Sequence, residues 1–387
     1  MSDGKIVTTK RAALRTLWGS YKVNLFTAMT IPVALYSLYL VSCVVPSIVY
    51  YALIGNIGGL LFSVAFALFL LLTGTKFLSS AGLQILIRMT DKKSNVVATK
   101  KLCHRALTLN RVFPKFMNHD QVFYEVMLGR ACLALGDYAE AEHIFATGIA
   151  RDEPFVDQAP SNFAIARYYN LSMTYCHLAV AQVCQNELSE GESSALRALE
   201  ICDKPNSKSY DLLKMYPIVI LGNIHILRGD LEQASEKYNR ALLIFKESPA
   251  ISWIGSSSTD PPLMAASLGL AIVTVRQDDS SSSFTHWRDY EERASHFTDP
   301  ISPNVLKYLN MYANDCMNLK HNEVAEQVLN HAYMIAQRNF DHPSAKETLN
   351  YFEKLLLLTG RESEVKDMRA WLRSTHLVNS GLELPSD

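Results

Sequence analysis

The sequence lacks the short motifs that announce chemistry. It contains no G-x-x-x-x-G-K-[ST], no G-x-G-x-x-G after a strand, no H-E-x-x-H and no G-x-S-x-G. Phosphate cradling, dinucleotide binding, zinc hydrolysis and a serine nucleophile elbow therefore have no basis in it. Seven cysteines (Cys43, Cys103, Cys132, Cys176, Cys184, Cys202, Cys316) include no C-x-x-C pair, the spacing that zinc ribbons and thioredoxin-like sites need. They read as buried thiols packing as small hydrophobes, in a reducing compartment. The histidines are dispersed: His321 and His331 are too far apart for an i, i+4 ligand pair, and Cys103-His104 points to different faces. Asp278-Asp279 and Glu291-Glu292 read as solvated acidic pairs. No catalysis, cofactor or metal is expected.

Charge is absent in one long block. Residues 23–75 hold no Asp, Glu, Lys, Arg or His, whereas one membrane span needs about 20 residues. A secretory signal has a much shorter apolar core. Two spans, near 25–45 and 57–75, fit this block, with Pro46, Gly55, Asn56, Gly58 and Gly59 breaking the helix between them. Residues 1–90 carry seven Lys/Arg and one acid, leaving 30 of the 37 basic and 37 of the 38 acidic residues to the remainder. Lys and Arg flank the block while the connection has none, so the positive-inside rule places both ends on the cytoplasmic side or its organellar equivalent. Leu14, Leu17, Trp18 and Tyr21 form an amphipathic stripe before the first span. The sequence thus predicts an integral, two-span membrane protein with a lipid bilayer as one partner. The expected division is a basic amphipathic segment (1–22), a transmembrane helical hairpin (23–89), a helical body (90–375) and a disordered tail (376–387).

Strands are also lacking: beyond residue 90 the pattern is amphipathic helices with short polar breaks, an all-α body. The triplet Arg-Ala-Leu occurs at 105–107, 197–199 and 240–242, each followed by a proline (Pro114, Pro205, Pro249). Leu128-Gly129 precedes Gly136-Asp137-Tyr138, then Ala141 and Phe145; Leu221-Gly222 precedes Gly229-Asp230-Leu231, then Ala234, Tyr238 and Ala241. Leu178-Ala179, Asn186-Glu187-Leu188, Gly191, Ala195 and Ala198 make a third copy, and Tyr312-Ala313, Ala325, Leu329 and Ala332 a degenerate one. Leu268-Gly269 opens another, with a turn swollen by residues 277–284, and Gly360 joins two helices of a C-terminal cap. Small residues let helices approach and bulky ones fill the space beside them. The Ser/Asp-rich stretches 255–262 and 278–283 are expected to be flexible loops.

These blocks resemble the tetratricopeptide repeat (TPR) over roughly residues 95–374, with a repeat distance longer than that family's 34 residues. The resemblance implies an α-solenoid of antiparallel helix pairs whose first helices line a concave groove. On that alignment the groove-facing residues are Phe123, Val126, Arg130 and Leu133; Met173, Cys176, Val180 and Val183; Tyr216, Val219, Asn223 and Ile226; and Lys307, Asn310, Asn314 and Met317. Asn310 and Asn314 lie at i, i+4, where amides can pair with an extended peptide backbone. The apolar positions serve equally well as packing against neighbouring repeats or the chain's own C-terminus. The Lys/Asn/Arg set with which some family members clamp a chaperone's C-terminal carboxylate is missing, which disfavours that role. Nucleic acid is not an expected partner: net charge is −1, and Lys92, Lys93, Lys100 and Lys101 lack interleaved aromatics. The expected function is a membrane-anchored adaptor binding proteins; the alternative is an assembly or quality-control factor whose hairpin contacts membrane subunits.

Overall fold

A computed structural model of the chain describes residues 87, 95–112, 118–158, 161–204, 211–247, 256–296, 302–337, 339, 342–366 and 369. The chain divides into two compact units, 1–89 and 90–387, and all described residues except Ile87 lie in the second. Its helices are α1 (Val96–Val112), α2 (Asn118–Leu135), α3 (Tyr138–Asp152), α4 (Ser161–Cys184), α5 (Leu188–Cys202), α6 (Met215–Arg228), α7 (Leu231–Glu247), α8 (Ser256–Arg276), α9 (Ser280–His296), α10 (Leu306–Asn318), α11 (Asn322–Ala336) and α12 (Pro343–Leu358), with 3₁₀ turns at Glu153–Gln158 and Pro303–Val305. No strand occurs among the described residues.

One turn, used six times, sets the architecture. Gly136, Asn186, Gly229, Asp278, Lys320 and Gly360 all adopt left-handed backbone, with φ between 64° and 84°. The residue after each sends its N–H back five residues: Asp137 to Cys132 O, Glu187 to Gln182 O, Asp230 to His225 O and Asp279 to Thr274 O at 2.9 Å, His321 to Cys316 O and Arg361 to Leu356 O at 2.8 Å. This is the Schellman ending, which satisfies the last carbonyls of one helix and reverses the chain into the next. Asp137, Glu187, Asp230, Asp279, His321 and Arg361 are termed anchors below. Four of the six are acidic, a favourable charge at the N-terminus of the following helix.

Counting from the anchors aligns the repeats. Four residues on, each outer helix has a small buried residue: Ala141, Gly191, Ala234, Ser283 and Ala325. Eight on it buries Phe145, Ala195, Tyr238, Trp287 and Leu329, and eleven on Gly148, Ala198, Ala241, Tyr290 and Ala332. Thus α2, α4, α6, α8, α10 and α12 are first (inner) helices and α3, α5, α7, α9 and α11 are second (outer) ones. Consecutive inner helices touch, and each outer helix packs on its own inner helix. The described residues form a TPR-like array of antiparallel helix pairs. The left-handed residues recur at positions 136, 186, 229, 278, 320 and 360, wider than the family's 34, because helices such as α4, with 24 residues, and α8, with 21, are long.

Three expectations about this array are corrected. Residues 256–262 and 278–283 are not flexible loops: α8 runs from Ser256 through Pro261 and Pro262, and α9 starts at Ser280. Asp279 Oδ1 accepts from the Ser282 N–H at 3.1 Å, and Ser283, fully buried, donates to Ala271 O at 2.9 Å. A serine that returns its hydroxyl to a carbonyl substitutes for the alanine or glycine of the other repeats. The fourth turn is not swollen, since Asp278 is its left-handed residue. Finally, the large–small pair of that repeat is Leu270-Ala271, eight residues before its anchor as in the other copies, not Leu268-Gly269.

The expected localisation, an integral two-span membrane protein with cytoplasmic termini, is also corrected. Among the described residues no helix is long and apolar enough to cross a membrane. The markedly apolar α6 has only 14 residues, about 21 Å at 1.5 Å per residue. Residues 23–75, which prompted the hairpin and the lipid partner, lie outside the described residues, as does the tail 376–387.

The core runs along α4 to α12 in two clusters. One cluster joins α6 to α12 through Tyr238, Leu263, Trp287, Tyr312 and Leu329, and another joins α4 to α6 through Cys176, Ala179, Ile220 and Ile224. Helix α8 is buried at nearly every position from Leu263 to Val273; it has no polar stripe because helices pack around it.

Candidate functional site

The residues projected onto the concave groove fall into two classes. Four residues before the anchors, Leu133, Val183, Ile226, Val275 and Met317 are 1–5% exposed; eleven before, Cys176, Val219, Leu268 and Asn310 are 1–4% exposed. These positions are packing surface. Seven and fourteen residues before the anchors the side chains remain accessible: Phe123, Met173, Val180, Tyr216, Asn223, Lys307 and Asn314 are half-buried and Arg130 is exposed. Val126 is half-buried as well. Helix α8 interrupts the row, because Ile272 is fully buried.

The two asparagines chosen as backbone readers are largely occupied. Asn310 is 1% exposed; its amide donates to Ser344 O at 3.1 Å and accepts from the Thr348 hydroxyl at 2.9 Å. A side chain so placed is unavailable to a partner, which corrects its assignment as a groove residue. Asn314 stays accessible, but its Oδ1 accepts from Lys354 Nζ at 3.1 Å. Both face α12, so the inner face at this end packs on the chain itself. Asn223 differs: its Oδ1 accepts from the buried Tyr238 hydroxyl at 2.7 Å. That bond orients the amide so that its NH₂ is the group left to donate.

Of the remaining members, Lys307 adjoins a closed seam. Lys307 lies beside the Cys184 thiol and makes no ion pair among the described residues. Tyr138 reaches the same thiol from the first turn, and its hydroxyl lies 3.2 Å from His342 Nε2, 204 residues further on. His342 Nδ1 accepts from the Ser344 N–H at 3.2 Å, so Nε2 carries the proton, also 3.2 Å from Asn304 Oδ1. A Cβ on Gly136 would sit 2.4 Å from Pro343 Cδ. The array therefore curls until its first turn meets the start of its last inner helix. Arg130 lies near Tyr169 and His177 of the next inner helix, and its guanidinium contacts Met127 Sδ at 3.7 Å. Phe123 packs edge-on to Tyr124, ring centres 5.7 Å apart.

Ionisation in this region favours neutral groups. Burial pushes the Cys184 thiol up to about 11 despite the opposing pull of Lys307 and Tyr138, so it is not a thiolate near neutral pH. Burial pushes His342 down to about 4. Among the described residues no group of three or more His, Cys, Asp or Glu could hold a metal ion.

Two features escaped sequence reasoning. The seam joins Tyr138 to His342 across the whole repeat array, a distance no local pattern spans. The second is a stripe on α12 (Asn350, Glu353, Lys354, Leu357 and Leu358) lining a shallow depression of about 430 Å³; its signal was the leucine run before Gly360.

No family model matches the chain, and no curated protein does. Solved structures give distant likenesses. BtubC (BKLC) from P. vanneervenii has a TM-score of 0.44 at 14% identity, covering 63% of this chain and 95% of that one. A kinesin light chain of Podosopora anserina with nearly identical TPR-like repeats has a TM-score of 0.39 at 13% identity, covering 56% and 94%. NprR in complex with its cognate peptide NprX has a TM-score of 0.48 at 14% identity, covering 88% and 89%. At these scores the fold rests on the repeat geometry above and not on the likenesses.

Proposed function

We propose that this chain is a non-catalytic scaffold that recognises a protein partner along its inner helices. The supporting observation is the accessible row seven and fourteen residues before the anchors, beside positions four and eleven before them that are mostly buried. Its members are suited to gripping an extended segment. Phe123 and Tyr216 are rigid aromatic anchors of the kind that dominate interface energetics, Met173 adapts to irregular surfaces, and the Asn223 amide donates. Arg130 and Lys307 add positive charge, so the segment favoured is one with apolar side chains and at least one carboxylate. Because the side chains stand on packed helices, their backbone is already ordered before a partner binds, which lowers the cost of association.

Quantitative affinity purification of the full chain tests this reading. A Tyr216→Ala plus Arg130→Ala variant is expected to lose a specific protein partner by roughly tenfold or more, the scale of removing interface hot spots, while its helical circular dichroism stays unchanged. Equal recovery of every partner by the wild type and a folded variant would refute it.

A further inference from the structure

Helix α12 repeats the inner-helix pattern, but among the described residues no further inner helix follows it. The residue four before the anchor is 1–5% exposed in α2, α4, α6, α8 and α10, each of which touches a following inner helix. Its equivalent in α12, Leu357, is 51% exposed, and the adjoining Leu358 is 58% exposed. Asn350, eleven before the anchor, is exposed, although its counterparts in α4, α6, α8 and α10 are buried. Among the described residues, the face that is packed in the earlier inner helices receives no helix at the sixth.

The charged pair at the centre of the stripe is also self-complementary. Asn350, Glu353, Lys354 and Leu357 fall at i, i+3, i+4 and i+7, one side of the helix. Two such helices placed antiparallel about a two-fold axis between positions 353 and 354 bring each Glu353 opposite the other copy's Lys354, and each Asn350 opposite the other's Leu357. An isologous contact requires this property, that one patch match itself. Glu353 is also ion-paired with Arg369, and Lys354 with its hydrogen bond to Asn314 is already held in place, so neither side chain enters the contact as a freely rotating group.

We propose that a second copy of this chain occupies the open face of α12, giving an antiparallel α12–α12 dimer that continues the inner-helix packing across the two-fold. The proposal stands independently of the inner-face reading. Sedimentation equilibrium of the full chain across a concentration series tests it. The wild type is expected to dimerise; Lys354→Glu places two acids opposite two acids, and Glu353→Lys two bases opposite two bases, so each alone is expected to be monomeric. Mixing the two charge-reversed chains is expected to restore a dimer, a mixed one, because each then meets its opposite. Leu357→Asp, matched to wild type in helicity, is expected to be monomeric. A monomeric wild type, variants that dimerise as well as the wild type, or a mixture that stays monomeric each overturns the proposal.

Discussion

At the scale of single residues, the turns show where the sequence is well matched to its backbone and where it is not. Glycine occupies three of the six left-handed positions, and Asn186 and Asp278, types that tolerate that region, two more. Lys320, at φ 64°, is the exception; it is exposed, so the strain of an L-residue there is not offset by packing. Lys320→Gly is expected to stabilise the fold by about 1 kcal/mol, the left-handed penalty relieved less the added backbone entropy of glycine. A lower urea midpoint for the variant would contradict this. His342 gives a pH prediction. Its value falls from the usual 6.5 to about 4 because it is buried, so between those values the unfolded chain binds a proton that the folded chain does not. Its contribution is complete above pH 6.5 and is lost as pH falls from 6.5 toward 4, by at most about 1.4 kcal/mol per pH unit. Asparagine at 342 can still cap α12 in place of the bond to Ser344 but does not titrate. Urea unfolding at pH 7 and pH 5 is expected to show a smaller stability difference for His342→Asn than for the wild type; equal differences would count against the assignment.

At the scale of helices, the outer residue eight after the anchor acts as a wedge. The Tyr238 ring lies between Gly222 of α6 and Gly269 of α8: a Cβ would come within 2.7 Å of it at Gly222 and 2.2 Å at Gly269. Gly222→Ala and Gly269→Ala are each expected to destabilise by about 1–3 kcal/mol through overpacking. Tyr238→Leu, which removes the ring, is expected to make a further Gly269→Ala nearly neutral, since the two sites share one contact. A thermal-denaturation double-mutant cycle with additive losses would rule the wedge out. The same helices explain what the sequence disclosed. Gly136-Asp137 and Gly229-Asp230 read directly as turns because glycine and acid both suit their places. The fourth turn was hidden because Asp278 and a run of serines have loop composition, while Ser283 satisfies its own hydroxyl on Ala271 and so behaves as a buried small residue. The register of Leu270-Ala271 was missed because Gly269, one residue earlier, is also small, and it serves the preceding repeat's tyrosine.

At the scale of the molecule, a row of inner-helix positions was legible and its accessibility was not. Family-like spacing located Phe123, Met173, Tyr216 and Lys307 on one side of successive helices, but burial depends on how tightly the array curls. The meeting of Tyr138 and Asn304 with His342 is set by the sum of every helix crossing, which no single repeat encodes. That curl buries Ile272 of α8, ties Asn310 and Asn314 to α12, and keeps Phe123, Arg130, Met173, Val180, Tyr216, Asn223 and Lys307 as the accessible set. The central claim is that a protein partner lies on this inner row and not on the outer helices. Site-specific photo-crosslinking tests it most directly, with a photoreactive phenylalanine at position 123 or, as control, at Leu243, an exposed position on outer helix α7. A covalent adduct to one partner protein is expected from position 123 and none from position 243; an adduct from 243 with none from 123 would overturn this reading.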